Sequence, residues 1–511
     1  MVSWLTRLLT AGALALFGAA PAQAEWLEAS NSHFIVYGDM KREEMQRFAD
    51  RLERFDAALH AGLNLPEVAP ATSNRVVIYV VRNQGAIVDL GRDSAIAGFY
   101  RADISGPIAV TPRKLSGSDK DFNPEVVLFH EYVHHIMLSN SESYYPAWVV
   151  EGMAEFFSFT QVEPNGDVTI GMPNNARATS IFSDEIVSLS DLLNADAQNG
   201  RRVYYDQLYA RGWLLIHYLL LGGKRQGQFA HYLALLNDGT PPLKAATDAF
   251  GSLTTLDREL NYYREKSMRA VAIAAAKLQM APITIRALDA GEAAMMPFRV
   301  PSAVGVDDKR AKALVAPARA AAAAYPDHAW VQQTLAEIEY DAGNDAEARA
   351  AADRALAVDP KNVMALIHKG LIEMRRAKAS KPNDPALWKL ARSWFVKANR
   401  ADPDYAYPYE LFYRTFAGAG ETPGASAIAG LARAVELAPQ NDELRMMLAM
   451  EKLRAGDLAA VRTVLAPVAA DPHGGGENPA AKLIALIDSG AGLAAVQAEA
   501  DKLAPKPKSE S

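Results

Sequence analysis

Two histidines and a glutamate about a quarter of the way along the chain have the types and spacing to hold and use a metal ion. His130, Glu131 and His134 form the pattern HExxH within the segment HEYVHH. On a helix, positions i and i+4 share one face, so both imidazoles can reach one ion while Glu131 leans over its open side. The corresponding chemistry is attack of a metal-activated water on a carbonyl group, with Glu131 taking the water's proton.

A third ligand is needed from a neighbouring element, because catalytic zinc usually has three protein ligands and one position left for water. Pro146 is predicted to open a second helix, and Glu151 lies on that helix. The intervening loop is short enough to fold the second helix back against the first. The chain contains no cysteine, so any metal site must use His, Asp and Glu.

The segment HEYVHH followed by PAWVVEGMAEFF resembles the gluzincin metallopeptidases of the MA clan, in particular the exported peptidase MA-like group. In that group an HExxH helix is followed by a W-x-x-E-G-x-A-E helix. The resemblance implies one Zn²⁺ per chain, held by His130, His134 and Glu151, with Glu131 as the catalytic general base. A looser resemblance to the same group extends over residues 25–270.

Two further side chains are predicted to assist the metal. The resemblance implies that Tyr209, at the position of a helix tyrosine in the family, stabilises the oxyanion; Tyr204 and Tyr205 are alternatives, and core packing is the other reading. Glu155 lies one helical turn after Glu151, where its carboxylate could accept a hydrogen bond from the distal nitrogen of a ligand histidine. A solvent-exposed acid is the alternative reading of Glu155.

The remaining histidines are not predicted to bind this ion. His135 diverges from His134 by about 100° around the helix, so it is interpreted as structural or supporting. Four others lack metal-ligand spacing and are interpreted as surface or core residues: His33, His60, His217 and His231.

The N-terminus is typical of an export signal. Residues 1–24 combine Arg7, an apolar run over residues 8–20 and the small-x-small site Ala22-Gln23-Ala24. The apolar run is shorter than the ~20 residues that a membrane helix needs, so no stable span is expected after cleavage. The sequence predicts a periplasmic or secreted protein of the bacterial envelope. The net charge of −7 and the lack of a basic face argue against a nucleic-acid partner.

The organisation predicted for the chain is an α+β zincin-like catalytic domain followed by an all-α tetratricopeptide-repeat solenoid. The catalytic domain is assigned to residues 25–270. The resemblance implies that residues 106–110 form an edge strand that pairs with extended substrate; an ordinary sheet strand is the alternative. Residues 271–305 contain several prolines and no long periodic pattern, so they are interpreted as a connecting segment.

Residues 306–500 are predicted to form repeats, and residues 501–511 a disordered tail. Small residues, Gly343 and Pro360 in the segment 328–362 fall where a tetratricopeptide repeat requires them. Similar prolines recur at Pro326, Pro360, Pro403, Pro439 and Pro472. By subtraction the intervals are 34, 43, 36 and 33 residues, and three of them are close to the repeat period of about 34. The long interval contains a polar insert over residues 380–385.

Three functions remain open from the sequence. The first is an exported zinc endopeptidase that acts on a protein or peptide, with repeats that bind a partner protein. The second is a non-catalytic envelope adaptor, in which the repeats act and the peptidase-like domain is structural. The third is a zinc amidase acting on a non-protein amide, because activated water attacks any amide carbonyl.

Overall fold

The computed structural model describes most of the chain. The described ranges are residues 25–65, 70–91, 98–113, 124–139, 143–183, 186–194, 202–469 and 478–503. The predicted signal peptide and the tail beyond residue 503 lie outside these ranges. So does Asn123, which the sequence predicts to cap the helix that begins at Pro124. Within the described parts of the chain, no helix combines the length and apolar character that a membrane span requires.

A mixed six-stranded sheet forms the centre of the N-terminal part of the chain. Its strands are β1 (Glu25–Ser30), β2 (Phe34–Met40), β3 (Val76–Val81), β4 (Phe99–Arg101), β5 (Ile108–Pro112) and β9 (Thr284–Ala287), in the order β4-β5-β3-β2-β1-β9. A smaller antiparallel sheet joins β6 (Gln161–Val162), β7 (Val168–Ile170) and β8 (Val271–Ile273). Alternate residues of β2 are buried, as expected for a strand with one face on a core.

Helices cover the large sheet and continue beyond it. They are α1 (Arg42–Leu63), α2 (Gln84–Asp89), α3 (Pro124–Ser139), α4 (Ala147–Ser158), α5 (Ala178–Ile181), α6 (Leu189–Leu193), α7 (Arg202–Leu221), α8 (Gln228–Asn237), α9 (Pro242–Phe250) and α10 (Leu253–Tyr263). Helix α3 contains HEYVHH, and α4 contains the segment that begins with Trp148. Trp148 and Trp213 are buried in one apolar core with residues of α1, α3 and α7.

Gly152 allows α4 and α7 to pack with their backbones in contact. A methyl group at this position would lie 2.7 Å from the carbonyl carbon of Gly212 and 2.8 Å from its oxygen. Because backbone atoms cannot swing aside as a side chain can, the glycine of the motif is explained by helix packing next to Glu151.

We therefore expect Gly152→Ala to destabilise the protein despite alanine's higher helix propensity. Overpacking of a tight core costs about 1–3 kcal/mol, so the melting temperature should fall by several degrees. The control is Gly424→Ala, since nothing lies within 4 Å of the added methyl group there. Equal melting temperatures for the two variants in a calorimetric scan would contradict this packing explanation.

The edge of the large sheet differs from the prediction for residues 106–110. Strand β5 lies between β4 and β3, parallel to β3 and antiparallel to β4, so it is an interior strand. The edge strand is β4, and the edge-strand interpretation of residues 106–110 is wrong. Spacing along the chain does not reveal that the short strand β4 pairs with the outer side of β5, which follows it in the sequence.

Residues 271–305 are more than a connecting segment. Strand β8 completes the small sheet, and β9 pairs antiparallel with β1 as the other edge of the large sheet. Helix α11 (Ala290–Val304) follows, and its Met296 and Val300 pack with Tyr79 of β3. The segment is therefore built into the sheet.

The rest of the chain forms tetratricopeptide-like helix pairs. Their helices are α12 (Asp308–Ala322), α13 (Ala329–Asp341), α14 (Asp345–Val358), α15 (Val363–Ala379), α16 (Pro385–Ala401), α17 (Ala406–Ala419), α18 (Ala425–Leu437), α19 (Asp442–Arg454), α20 (Leu458–Leu465), α21 (Pro479–Asp488) and α22 (Leu493–Leu503). Gly343 turns between α13 and α14 with a φ of +82°. Because α22 ends at Leu503, the first three residues of the predicted disordered tail are helical.

The repeats contact the sheet region beside β4. The hydroxyl of Tyr405 donates to the carbonyl of Ser105 at 2.8 Å, and Asn441 donates to the carbonyl of Ala102 at 2.9 Å. Gln440 hydrogen-bonds to Asn74, before β3. The repeats therefore reach the loop that leaves the edge strand.

Candidate metal centre

Helices α3 and α4 bring the three predicted metal ligands together. The Nε2 atoms of His130 and His134 lie 3.1 Å apart. Oε2 of Glu151 lies 3.2 Å from Nε2 of His130 and 3.7 Å from Nε2 of His134. These three side chains form one of two groups among the described residues whose ligand atoms all lie within 4.8 Å of one another.

These separations fit a zinc ion. Donors at 2.0–2.2 Å from zinc in tetrahedral arrangement lie about 3.3–3.6 Å from one another. The separations of 3.1, 3.2 and 3.7 Å in this structure are close to that range. Two imidazoles and one carboxylate are also a ligand set of catalytic zinc, with one position left for water. The residues present therefore fit the group that the sequence predicts.

The ligand cluster is largely buried, and burial affects the charge that it can carry. Glu151 is 0% exposed and His134 is 6% exposed. Burial lowers the pKa of His130, but its hydrogen bond to Glu151 and the charges of Glu151, Glu155 and Glu131 outweigh that effect and raise it. Since a buried carboxylate requires a positive partner, the cluster is suited to a cation.

Glu155 supports His130 from behind. Its Oε1 lies 3.6 Å from Nδ1 of His130, the nitrogen that faces away from the ligand cluster. Arg177 donates to the same oxygen at 2.7 Å, and Asn174 donates to Oε2. Glu155 is 4% exposed, so the solvent-exposed reading is wrong. Its carboxylate is fixed where it can orient the imidazole of His130.

Tyr209 lies against the cluster, on α7. Its ring stacks on the His130 ring with centroids 5.8 Å apart and an interplanar angle of 25°. The guanidinium of Arg177 lies 4.7 Å from the centroid of the Tyr209 ring. Burial and the charge of Glu151 raise the pKa of the Tyr209 hydroxyl, so it remains a proton donor at neutral pH. The side chains of Tyr204 and Tyr205 lie outside the described residues.

Glu131 is half-buried, and its charge acts on both sides of the centre. Its negative charge contributes to raising the pKa of His130, of Tyr209 and of Tyr100 on β4. Among these, Tyr100 comes from the sheet edge and Tyr209 from α7. Glu131 lies on α3 itself, and its charge acts on Tyr100 of the edge strand and on Tyr209 of α7.

His135 turns away from the ligand cluster and fixes the edge strand. The hydroxyl of Tyr100 and Nδ1 of His135 lie 2.7 Å apart. Burial lowers the pKa of His135 to about 4, so its imidazole is neutral and the tyrosine can donate to it. The structural interpretation of His135 agrees with this contact, which joins β4 to α3.

Sequence reasoning did not identify Tyr100, Asn174 or Arg177. Asn174 and Arg177 contact Glu155 from a loop and a short turn, and Tyr100 contacts His135 from the edge strand. None has a fixed spacing from HExxH, and Arg177 is 22 residues from Glu155. The sequence contains one signal: Glu155 has no basic residue one helical turn away on its own helix, so a basic partner has to come from another element.

One family model matches the part of the chain that contains this centre. Residues 126–243 match the family described as protein of unknown function DUF1570. That match includes His130, His134, Glu151 and Tyr209. No curated protein matches the chain. The matched family has no assigned function, so the function has to be inferred from the side chains themselves.

Solved structures similar to this chain include tetratricopeptide proteins. A crystal structure of MamA has 15% identity and a TM-score of 0.26, over 31% of this chain and 91% of MamA. TTC0263, a thermophilic TPR protein of Thermus thermophilus, has 21% identity and a TM-score of 0.27, over 38% and 91%. Pseudomonas aeruginosa pilF has 16% identity and a TM-score of 0.31, over 42% and 89%.

Proposed function

We propose that this protein is an exported, zinc-dependent endopeptidase whose helical repeats bind a partner protein or present the substrate. The observation that carries the proposal is the convergence of two imidazole nitrogens and one buried carboxylate oxygen within 3.1–3.7 Å. His130, His134 and Glu151 would hold the ion. When bound, zinc supplies a Lewis acid that polarises a carbonyl and acidifies water.

Three side chains of the protein would then move the proton, stabilise the developing negative charge and orient a ligand. Glu131 follows His130 directly on α3, and its carboxylate would accept the proton of the attacking water and return it to the leaving amine. Tyr209, kept protonated, donates a hydrogen bond to the oxygen that becomes negative. Glu155, held by Arg177, fixes the orientation of His130.

The edge strand provides a place for an extended peptide. β4 is the outermost strand on its side of the large sheet among the described residues, and its Tyr100 hydroxyl lies 2.7 Å from Nδ1 of His135 on α3. A peptide added beside β4 would pair through main-chain hydrogen bonds, in the manner of β-augmentation. Tyr405 and Asn441 of the repeats hold the loop after β4, so the repeats lie next to this approach.

The N-terminal signal pattern supports export to the periplasm or the medium. These compartments are oxidising, and a chain without cysteine has no thiol to be oxidised there. The tetratricopeptide-like pairs support a protein partner, since stacked pairs commonly present peptide-binding surfaces. The adaptor alternative rests on these same repeats and requires no chemistry from the metal centre.

Zinc removal tests the endopeptidase proposal. The full mature chain, incubated with an unfolded protein such as casein, should cleave it; a chelator should abolish cleavage and added zinc should restore it. Cleavage that survives complete zinc removal would refute the proposal. A protein that binds no zinc would favour the adaptor, and a zinc protein that cleaves only cell-wall amides would favour the amidase.

A further inference from the structure

A second group of ligand-type side chains lies outside the proposed catalytic centre. Nδ1 of His33 lies 3.2 Å from Oε2 of Glu53 and 3.2 Å from Oδ2 of Asp56. The three ligand atoms all lie within 4.8 Å of one another. His60, one helical turn after Asp56, places its own Nδ1 3.5 Å from Oδ2 of Asp56.

The two carboxylates of this group are completely buried. Glu53 and Asp56 are both 0% exposed, and His33 is 5% exposed. A buried charge without compensation is costly, so two adjacent carboxylates require positive charge close by. One proton on Nδ1 of His33 can hydrogen-bond well to only one of them. A divalent cation at the same point attracts both.

The oxygen of Asp56 that faces His33 has hydrogen-bonding capacity to spare. Oδ1 of Asp56 accepts a hydrogen bond from the hydroxyl of Tyr132 at 2.7 Å. Oδ2 is buried, and among the described residues no donor meets it in hydrogen-bond geometry. Glu53 differs, because Asn31 and the backbone of Ala281 both donate to it. Oδ2 of Asp56 is therefore the atom that a cation would use.

A cavity adjoins this group on the side of His33 and Asp56. This cavity of about 490 Å³ between the sheet region and the repeats is lined by His33, Asp56, His60 and Tyr132 on one side. Arg433 and Glu436 of α18 are among the residues on its other side. A water from this cavity could complete the coordination of an ion at His33.

We infer that His33, Glu53 and Asp56 form a second divalent-cation site, distinct from the proposed catalytic centre and of the zinc class. An imidazole with two carboxylates suits a first-row transition ion. Calcium is disfavoured because it takes 6–8 oxygen ligands, more than this buried group offers. The inference does not rest on the endopeptidase proposal.

The position of this site gives it a structural task. His33 lies in the turn before β2, Glu53 and Asp56 lie on α1, and Tyr132 lies on α3 between the two catalytic histidines. The ion would join β2 to α1 and, through Asp56 and Tyr132, hold the helix that carries HExxH. Spacing along the chain could not indicate this group, because Glu53 and Asp56 lie 20 and 23 residues from His33, by subtraction.

Zinc stoichiometry of the full mature chain tests this inference. Each protein is stripped with a chelator, loaded with zinc, desalted and analysed by mass spectrometry for zinc per chain. We expect two zinc ions in the wild type, one in Asp56→Asn and one in His134→Ala. Zinc should also raise the melting temperature of stripped His134→Ala, and this increase should disappear when Asp56→Asn is added.

This experiment distinguishes an absent second site from an absent catalytic zinc site. One zinc in the wild type and none in His134→Ala would overturn the second site and leave the catalytic centre intact. One zinc in the wild type that persists in His134→Ala and disappears in Asp56→Asn would support the second site and refute the catalytic one. If Asp56→Asn does not fold, the wild-type and His134→Ala counts still decide.

Discussion

Glu131→Gln is expected to lower the rate of peptide cleavage by about 10²–10⁴-fold, the usual contribution of a general base, and to leave zinc bound. The amide has the size of the carboxylate but cannot accept the proton of the attacking water. Glu131 is not one of the three residues whose ligand atoms cluster, so the ion should remain. The measurements are kcat/KM on a quenched peptide substrate and zinc per chain.

The matched control for this variant is Glu125→Gln on the same helix. Glu125 lies in the first turn of α3 and forms a partly exposed ion pair with Arg51 at 2.5 Å. Exposed ion pairs contribute little to stability, so this variant should keep nearly full kcat/KM and its zinc. Full activity in Glu131→Gln would remove the general-base assignment. Loss of zinc in Glu131→Gln would instead indicate that Glu131 binds the ion.

The sequence is informative about the ligands because their positions are encoded locally. Helix geometry brings His130 and His134 onto one face whatever the tertiary structure. Glu151 follows a proline that starts the next helix, and the predicted start agrees with α4. The placement of these three side chains depends on one short loop, so few arrangements of the chain are compatible with the pattern.

The region 271–305 could not be predicted because its helix breaks the usual rules. Pro297 and Pro301 lie inside α11, although a proline removes a backbone donor and normally interrupts a helix. The helix also buries residues on two sides: Met295 packs against the repeats, and Met296 packs against the sheet. A helix with two buried faces lacks the single apolar stripe that reveals helices in a sequence.

Contacts between distant elements explain the remaining errors. The pairing of β4 with β5 and the interaction of Arg177 with Glu155 depend on tertiary packing, which spacing along the chain does not encode. The polar cluster around His33 illustrates this most clearly. Its histidine lies beside a strand and its acids lie on a helix, so only the packed structure brings them together.

Glu151→Gln should release zinc, and this second prediction tests the ligand set directly. The neutral amide is a poor zinc ligand, and the residue is 0% exposed, so no other group can easily take its place. We expect zinc affinity to fall by more than the ~10–100-fold typical of losing an outer partner of a ligand. Competition with a chelating dye measures the affinity, and cleavage should fall in parallel.

The control is the same substitution one helical turn later, Glu155→Gln. Glu155 touches the far nitrogen of His130 and the guanidinium of Arg177, so its loss should weaken zinc binding by ~10–100-fold and leave a measurable rate. The order of the two effects is the decisive result, because both variants remove one negative charge from the same helix. A stronger loss of zinc in Glu155→Gln than in Glu151→Gln would make Glu155 the third ligand. Equal effects would mean that charge alone, and not coordination by Glu151, holds the ion.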